Sequence, residues 1–193
     1  MMRKALRRQA GFSLTELMAT VVIVGILAVT AVTYFRKHAL ASKVTEAQAM
    51  VQSIRGAEER YRAENRQYLP ITAASATLPS CSSRGGLYPA SPDGARRPFF
   101  LSQTASDTSA LWWQLRPTTS GMVQFGYAVQ AGPPSTTSRV PLPPDIANPP
   151  IMPFPTDSWY VVEAIADNDN NGVCCVVAGT SLTGEVYVQN EGE

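Results

Sequence analysis

The chain has 193 residues, with 16 Lys and Arg against 15 Asp and Glu, one histidine and three cysteines. That length accommodates one ordinary domain plus an appendage, not two large domains. The net charge of +1 excludes a dedicated nucleic-acid binder, a lone His38 leaves little for a zinc site, and 45% hydrophobic residues exclude disorder throughout.

These averages conceal a segregated chain. Residues 1–11 carry Arg3, Lys4, Arg7 and Arg8 and no acid; removing them leaves 12 basic and 15 acidic residues, a net −3. From Leu17 to Phe35 run 19 residues without charge or proline. At ~1.5 Å per residue such a helix spans ~28 Å, close to the ~30 Å hydrocarbon thickness of a bilayer. The positive-inside rule keeps residues 1–11 in the cytoplasm and sends the chain after Phe35 outward. A cleaved secretory signal is the competing reading, with Val29-Thr30-Ala31 as its small-x-small site. The apolar run is longer than the ~7–15 residues a signal peptide uses. A retained membrane segment is therefore favoured.

Gly11-Phe12-Ser13-Leu14-Thr15-Glu16 decides between them. A carboxylate just inside an apolar run is costly unless it is paired, and neither a signal peptide nor a simple anchor has a use for one. Residues 3–35 resemble the class III leader and first helix of type IV pilins and type II secretion pseudopilins. That family shows a basic leader, then Gly, Phe, Thr or Ser, Leu, any residue and Glu, followed by about twenty apolar residues. The resemblance implies that a prepilin peptidase cuts between Gly11 and Phe12 and that Phe12 is N-methylated. It also implies that Glu16 serves assembly by pairing with the Phe12 amine of a neighbouring subunit. One position departs from the pattern: many filament-forming pilins carry a proline near Thr33, and this chain has none, so the resemblance does not extend to local melting of the helix there.

Residues 36–69 hold seven basic and four acidic residues. Leu40, Val44, Ala47, Val51, Ile54, Tyr61 and Tyr68 recur at helical spacing, so an amphipathic helix is predicted to continue from about Phe12 to Tyr68 and to stop before Pro70. Glu58 interrupts the stripe at its centre. Glu58 or Glu59 can pair with Arg62 at helical spacing.

The head, 70–193, opens with a meandering region over 70–110, in which Phe99-Phe100-Leu101 and Leu111–Leu115 are apolar nuclei. Residues 122–129 alternate and read as a strand. Between Gly132 and Pro155 nine prolines in 24 residues predict an extended surface loop, a tolerated insertion rather than a binding surface. Residues 159–166, 172–177 and 185–188 read as further strands. The class expected is α+β: a long N-terminal helix, membrane-spanning over 12–35 and amphipathic over 36–69, on a small antiparallel sheet. This is also the pilin fold.

Asp167, Asp169 and Asn171 followed by Gly172 match the first half of a calcium loop, but the twelfth position is Ala178, which supplies no carboxylate. A calcium site and a plain polar turn both remain open, and the plain turn is the simpler. Outside the cytoplasm the cysteines can oxidise. Cys174 and Cys175 point to opposite faces of a strand, so only one of them meets Cys81; a strained vicinal Cys174–Cys175 bridge is the alternative.

No nucleotide, hydrolase, zinc-protease or CxxC motif is present, so neither an enzyme nor a cofactor other than calcium is expected. The resemblance implies a subunit of a type IV pilus or related filament, serving motility, adhesion or uptake, with a minor pilin or a type II secretion pseudopilin as the alternative. A signal-anchored periplasmic enzyme or receptor domain is the remaining possibility. Implied partners are further copies or co-assembling pilins, the prepilin peptidase and an inner-membrane platform driven by a cytoplasmic ATPase. Implied locations are the inner membrane before assembly and the periplasm or cell-surface filament afterwards.

Overall fold

Helix α1, Leu14–Asn65, begins where the sequence supplies its own cap. The computed structural model describes residues 12–72, 77–90, 93–104, 108–119 and 121–191. The chain divides into two compact units, residues 1–39 and 40–193.

In the first unit every large apolar side chain from Phe12 to Phe35 is 56–76% exposed. The apolar residues occupy all sides of the helix, a pattern that suits lipid or neighbouring helices rather than water. The stretch is long and apolar enough to cross a bilayer. Its threonines need no outside partner, because Thr20, Thr30 and Thr33 each donate a hydroxyl to a carbonyl one turn back. In hydrocarbon such internal bonds replace the water that is missing. The helix runs unbroken through Gly25 and Thr33.

In the second unit, 40–65 of α1 bury Val44, Ala47, Val51, Ile54 and Ala57 along one face. The helix stops at Asn65, three residues short of the predicted end. Arg66 takes a left-handed φ of 60°, and its N–H closes the last turn on the Arg62 carbonyl. This is an αL cap that Pro70 does not dictate.

Four strands follow in simple antiparallel order: β3 (Gly126–Gly132), β4 (Trp159–Ala166), β5 (Cys175–Thr180) and β6 (Val186–Gln189). A two-residue ladder pairs β1 (Arg97–Pro98) with β2 (Met122–Val123). The expected strand over 122–129 is thus broken at Gln124, and β5 lies three residues later than predicted. The Leu111–Leu115 nucleus forms a short helix, α2 (Thr108–Leu115), which buries Trp112 and Leu115. Residues 133–158 form no helix or strand.

The sheet is covered on both faces. Tyr160, Val162, Ala164 and Ala166 of β4 join the helix-side core. There α1 comes so close to β5 that a Cβ at Gly179 would sit 3.1 Å from Val51. Val161 and Ile165 belong to clusters on the other face, with Leu78, Leu87, Val140, Ile146 and Met152 from the connecting segments. Because both faces are buried, β4 reads as a nearly continuous apolar run.

Candidate functional site

Three places in the molecule bear on function: the start of α1, the buried carboxyls of the head, and the turn joining β4 to β5.

Ser13 precedes the helix and Glu16 is its third residue, the spacing of a capping box. The Ser13 N–H donates to Glu16 Oε2 at 3.2 Å, and the Ser13 hydroxyl lies 2.8 Å from that of Thr15. A carboxylate here also meets the positive end of the helix dipole. Glu16 thus has a partner inside its own chain, a role that only the S-x-x-E spacing signals in the sequence. Its other oxygen makes no hydrogen bond among the described residues. Phe12 is exposed beside it; Gly11, on the other side of the expected cut, lies outside the described residues.

Glu58 pairs otherwise than predicted. It is fully buried and accepts the Leu69 N–H at 3.0 Å, which pins the chain reversal after α1 back onto the helix. Burial pushes its pKa up to about 8, only partly countered by that hydrogen bond, with Glu59 raising it further. Glu59 does not meet Arg62 directly. Tyr68 stands between them, donating its hydroxyl to Glu59 Oε1 at 3.0 Å while accepting from Arg62 at 2.8 Å, and its ring meets Tyr160 edge-on.

Glu163, mid-strand in β4, is also fully buried. Burial, and then the charge of Asp145, raise its pKa well above the ordinary carboxylate range.

The β4–β5 turn is held by its own side chains. Asp167 accepts the N–H groups of Asn171 and Gly172, both at 3.1 Å, and forms an ion pair with Arg84 at 3.3 Å. Asp169 accepts the Asn171 side-chain amide at 3.0 Å, and Asn171 accepts the Val173 N–H at 2.7 Å. The acidic oxygens are thereby engaged within an Asx-type turn. Among the described residues no three His, Cys, Asp or Glu side chains gather as metal ligands. The Arg84 partner comes from 83 residues away and had no local signal.

Cys81 and Cys174 form a disulfide with Cα atoms 5.7 Å apart, so the vicinal alternative does not occur. Cys174 lies on the face away from α1, and Cys175 is buried on the helix side. A cleft of about 790 Å³ between the last turn of α1 and α2 is lined by Arg60, Tyr61, Glu64, Trp113 and Arg116 among others. Among the described residues its lining offers neither a nucleophile beside a base nor a pair of carboxylates.

Against known proteins, residues 6–32 match the family of the prokaryotic N-terminal methylation motif. This is the class III prepilin leader of type IV pilins and pseudopilins. The motif implies processing by a prepilin peptidase and assembly with other pilins, and together with the apolar helix it supports membrane anchoring. Neither the curated proteins nor the solved structures contain a match to the chain.

Proposed function

We propose that this chain is a structural subunit of a type IV pilus or related filament, inserted in the inner membrane as a prepilin with residues 1–11 in the cytoplasm. The peptidase cuts after Gly11, Phe12 is N-methylated, and the mature subunit polymerises through its N-terminal helix. A platform driven by a cytoplasmic ATPase extracts it from the membrane. One observation carries this reading: from Leu14 onward the stretch that bears the methylation motif is a helix exposing apolar side chains on all sides. Such a helix requires lipid before assembly and other helices after it.

Glu16 then has two successive partners. Before assembly its Oε2 caps its own helix; on assembly its free Oε1 receives the charged amine of a neighbouring Phe12, which offsets the cost of a carboxylate in the helical core. A minor pilin or pseudopilin is the second reading, favoured by the unbroken helix at Thr33, where the resemblance leads one to expect a proline in many filament-forming subunits.

Intact-mass measurement of the membrane-extracted protein is expected to show a chain starting at Phe12 with one added methyl group. A start near Val32 would instead establish an ordinary signal peptide and sink the proposal. Glu16→Ala is expected to be processed normally yet fail to enter sheared filaments. Deletion cells that keep their pili but lose a secreted product would select the second reading.

A further inference from the structure

The face of the sheet turned away from α1 carries an acid that the filament reading does not use. The register aligns Ala128, Glu163, Ala178 and Tyr187 in one row across β3, β4, β5 and β6. The flanking alanines offer the Glu163 carboxyl no polar side-chain atom. Both its oxygens are fully buried and without a hydrogen-bond partner among the described residues. Leu87, Ile146 and Ile165 belong to the apolar cluster on this face.

The charged and titratable groups facing Glu163 are few. The proline-rich loop brings Asp145, whose Oδ2 accepts the Cys81 N–H at 2.7 Å. β6 brings the Tyr187 phenol at the end of the row. In the 77–90 segment Cys81 is held in the disulfide, and Arg84 is paired with Asp167. β3 and β5 bring no charge to the row. Among the described residues an ionised Glu163 would thus have no cation and no donor, and a negative neighbour, so the acid keeps its proton while it is covered.

The cover is weakly tied. Residues 133–158 make no strand pairing, and the loop bonds largely to itself, as in Ile146 N–H to the Pro143 carbonyl and Arg139 to the Met152 carbonyl. Buried Val140, Ile146 and Met152 and the Asp145–Cys81 bond hold it down. Lifting such a segment costs less than unfolding the sheet beneath it.

We propose that Glu163 is a proton latch: its neutral carboxyl lets the proline-rich loop 132–155 lie closed on the outer face of the sheet, and ionisation of that carboxyl lifts the loop and wets the face. Water is what ionisation requires, and only the open loop admits it. The opening equilibrium therefore rises about tenfold per pH unit above the ordinary carboxylate range, and levels off where the covered acid would itself ionise.

Amide hydrogen exchange of the full chain in detergent micelles tests this, read at Ile146 and Cys81 from pH 5 to 10 and corrected for intrinsic rates. Protection at both sites should fall with pH while β4 and β5 stay protected. In Glu163→Gln, which is neutral and nearly isosteric, the loop should stay protected throughout. Asp145→Asn keeps a carbonyl for the Cys81 N–H but removes the charge that disfavours ionisation. The rise should then level off at lower pH, leaving the loop better protected at pH 9 than in the wild type. Loss of loop protection in Glu163→Gln parallel to the wild type, or an unchanged levelling-off point in Asp145→Asn, would overturn the latch. Should Glu163→Gln fail to fold, infrared titration of Glu58→Gln leaves two buried carboxyls among the described residues, Glu163 and Asp167. Asp167 is paired with Arg84 and accepts two N–H groups, so the band of a buried acid without a hydrogen-bond partner belongs to Glu163. Its protonated band must persist while the loop is protected; disappearance of the band below pH 6 with the loop still closed overturns the proposal.

Discussion

The two halves of α1 use one backbone geometry for opposite ends. Up to Phe35 large apolar residues point in every direction and none is buried; from Val44 to Ala57 they fall on one face and are fully covered. The first half therefore depends on a partner outside the chain, whether lipid or other subunits. The second half finds its partner in β4 and β5 of the same chain. What separates them is the arrangement of apolar residues around the helix, since both halves are equally helical.

The sharpest way to probe the self-contained half is to remove what staples it. The Cys81–Cys174 bridge spans a sequence separation of 93 residues, and closing so long a loop restricts the unfolded chain by about 4–5 kcal/mol. Replacing both cysteines with serine should lower the denaturation midpoint of the head accordingly. Extraction of the protein with the membrane fraction should not change.

Packing gives the next effect. Ile54→Ala leaves a cavity between helix and sheet and should destabilise the head by ~2–5 kcal/mol. Val24→Ala removes a similar side chain that is exposed on the uniformly apolar half of α1 and should leave the midpoint of the head unmoved. Equal losses at both positions in thermal melts would erase the distinction between the halves.

Glu58 offers a subtler contrast with Glu16, since each is an acid on α1 but only Glu58 is buried within the subunit. Burial raises the pKa of folded Glu58 to about 8 from an ordinary 4.5. Between those values the folded state keeps a proton that the unfolded state has released. Stability is therefore greatest below the unfolded value and falls as pH rises through the window, by roughly 3 kcal/mol between pH 5 and 7.5. Glu58→Gln, which still accepts the Leu69 N–H, should flatten that decline. Glu163 titrates in the same direction and should leave a residual slope. Melting temperatures of Glu58→Gln that fall with pH as steeply as in the wild type would show that Glu58 is not the source.

Much of this design is local and so was legible in the chain. The basic leader, the Gly11–Glu16 motif, the 19-residue uncharged run and the helical stripe each depend on spacing within a few turns. β4 was read to its residue limits because eight mostly apolar residues with β-branched character leave few other options. Where a segment's partner lay far away, the local pattern misled. Leu111–Leu115 was a nucleus without an assigned structure, because its helix is set by the Tyr88, Phe99 and Trp112 rings packing together. The Glu58–Arg62 spacing looked like a surface pair, yet the chain reversal places Leu69 over Glu58.

By itself, then, the sequence determined that a helix would form, which half of it would be uniformly apolar, and where processing is expected to fall. These follow from periodicity, capping and charge, which act between neighbours. Only the tertiary structure decided which cysteine meets Cys81, that Arg84 engages Asp167, and that Glu58 and Glu163 are acids held away from water. Those outcomes depend on segments tens of residues apart closing over the two faces of one sheet. Burial, which sets the protonation of a carboxyl, is a property of what covers it rather than of its neighbours in the chain.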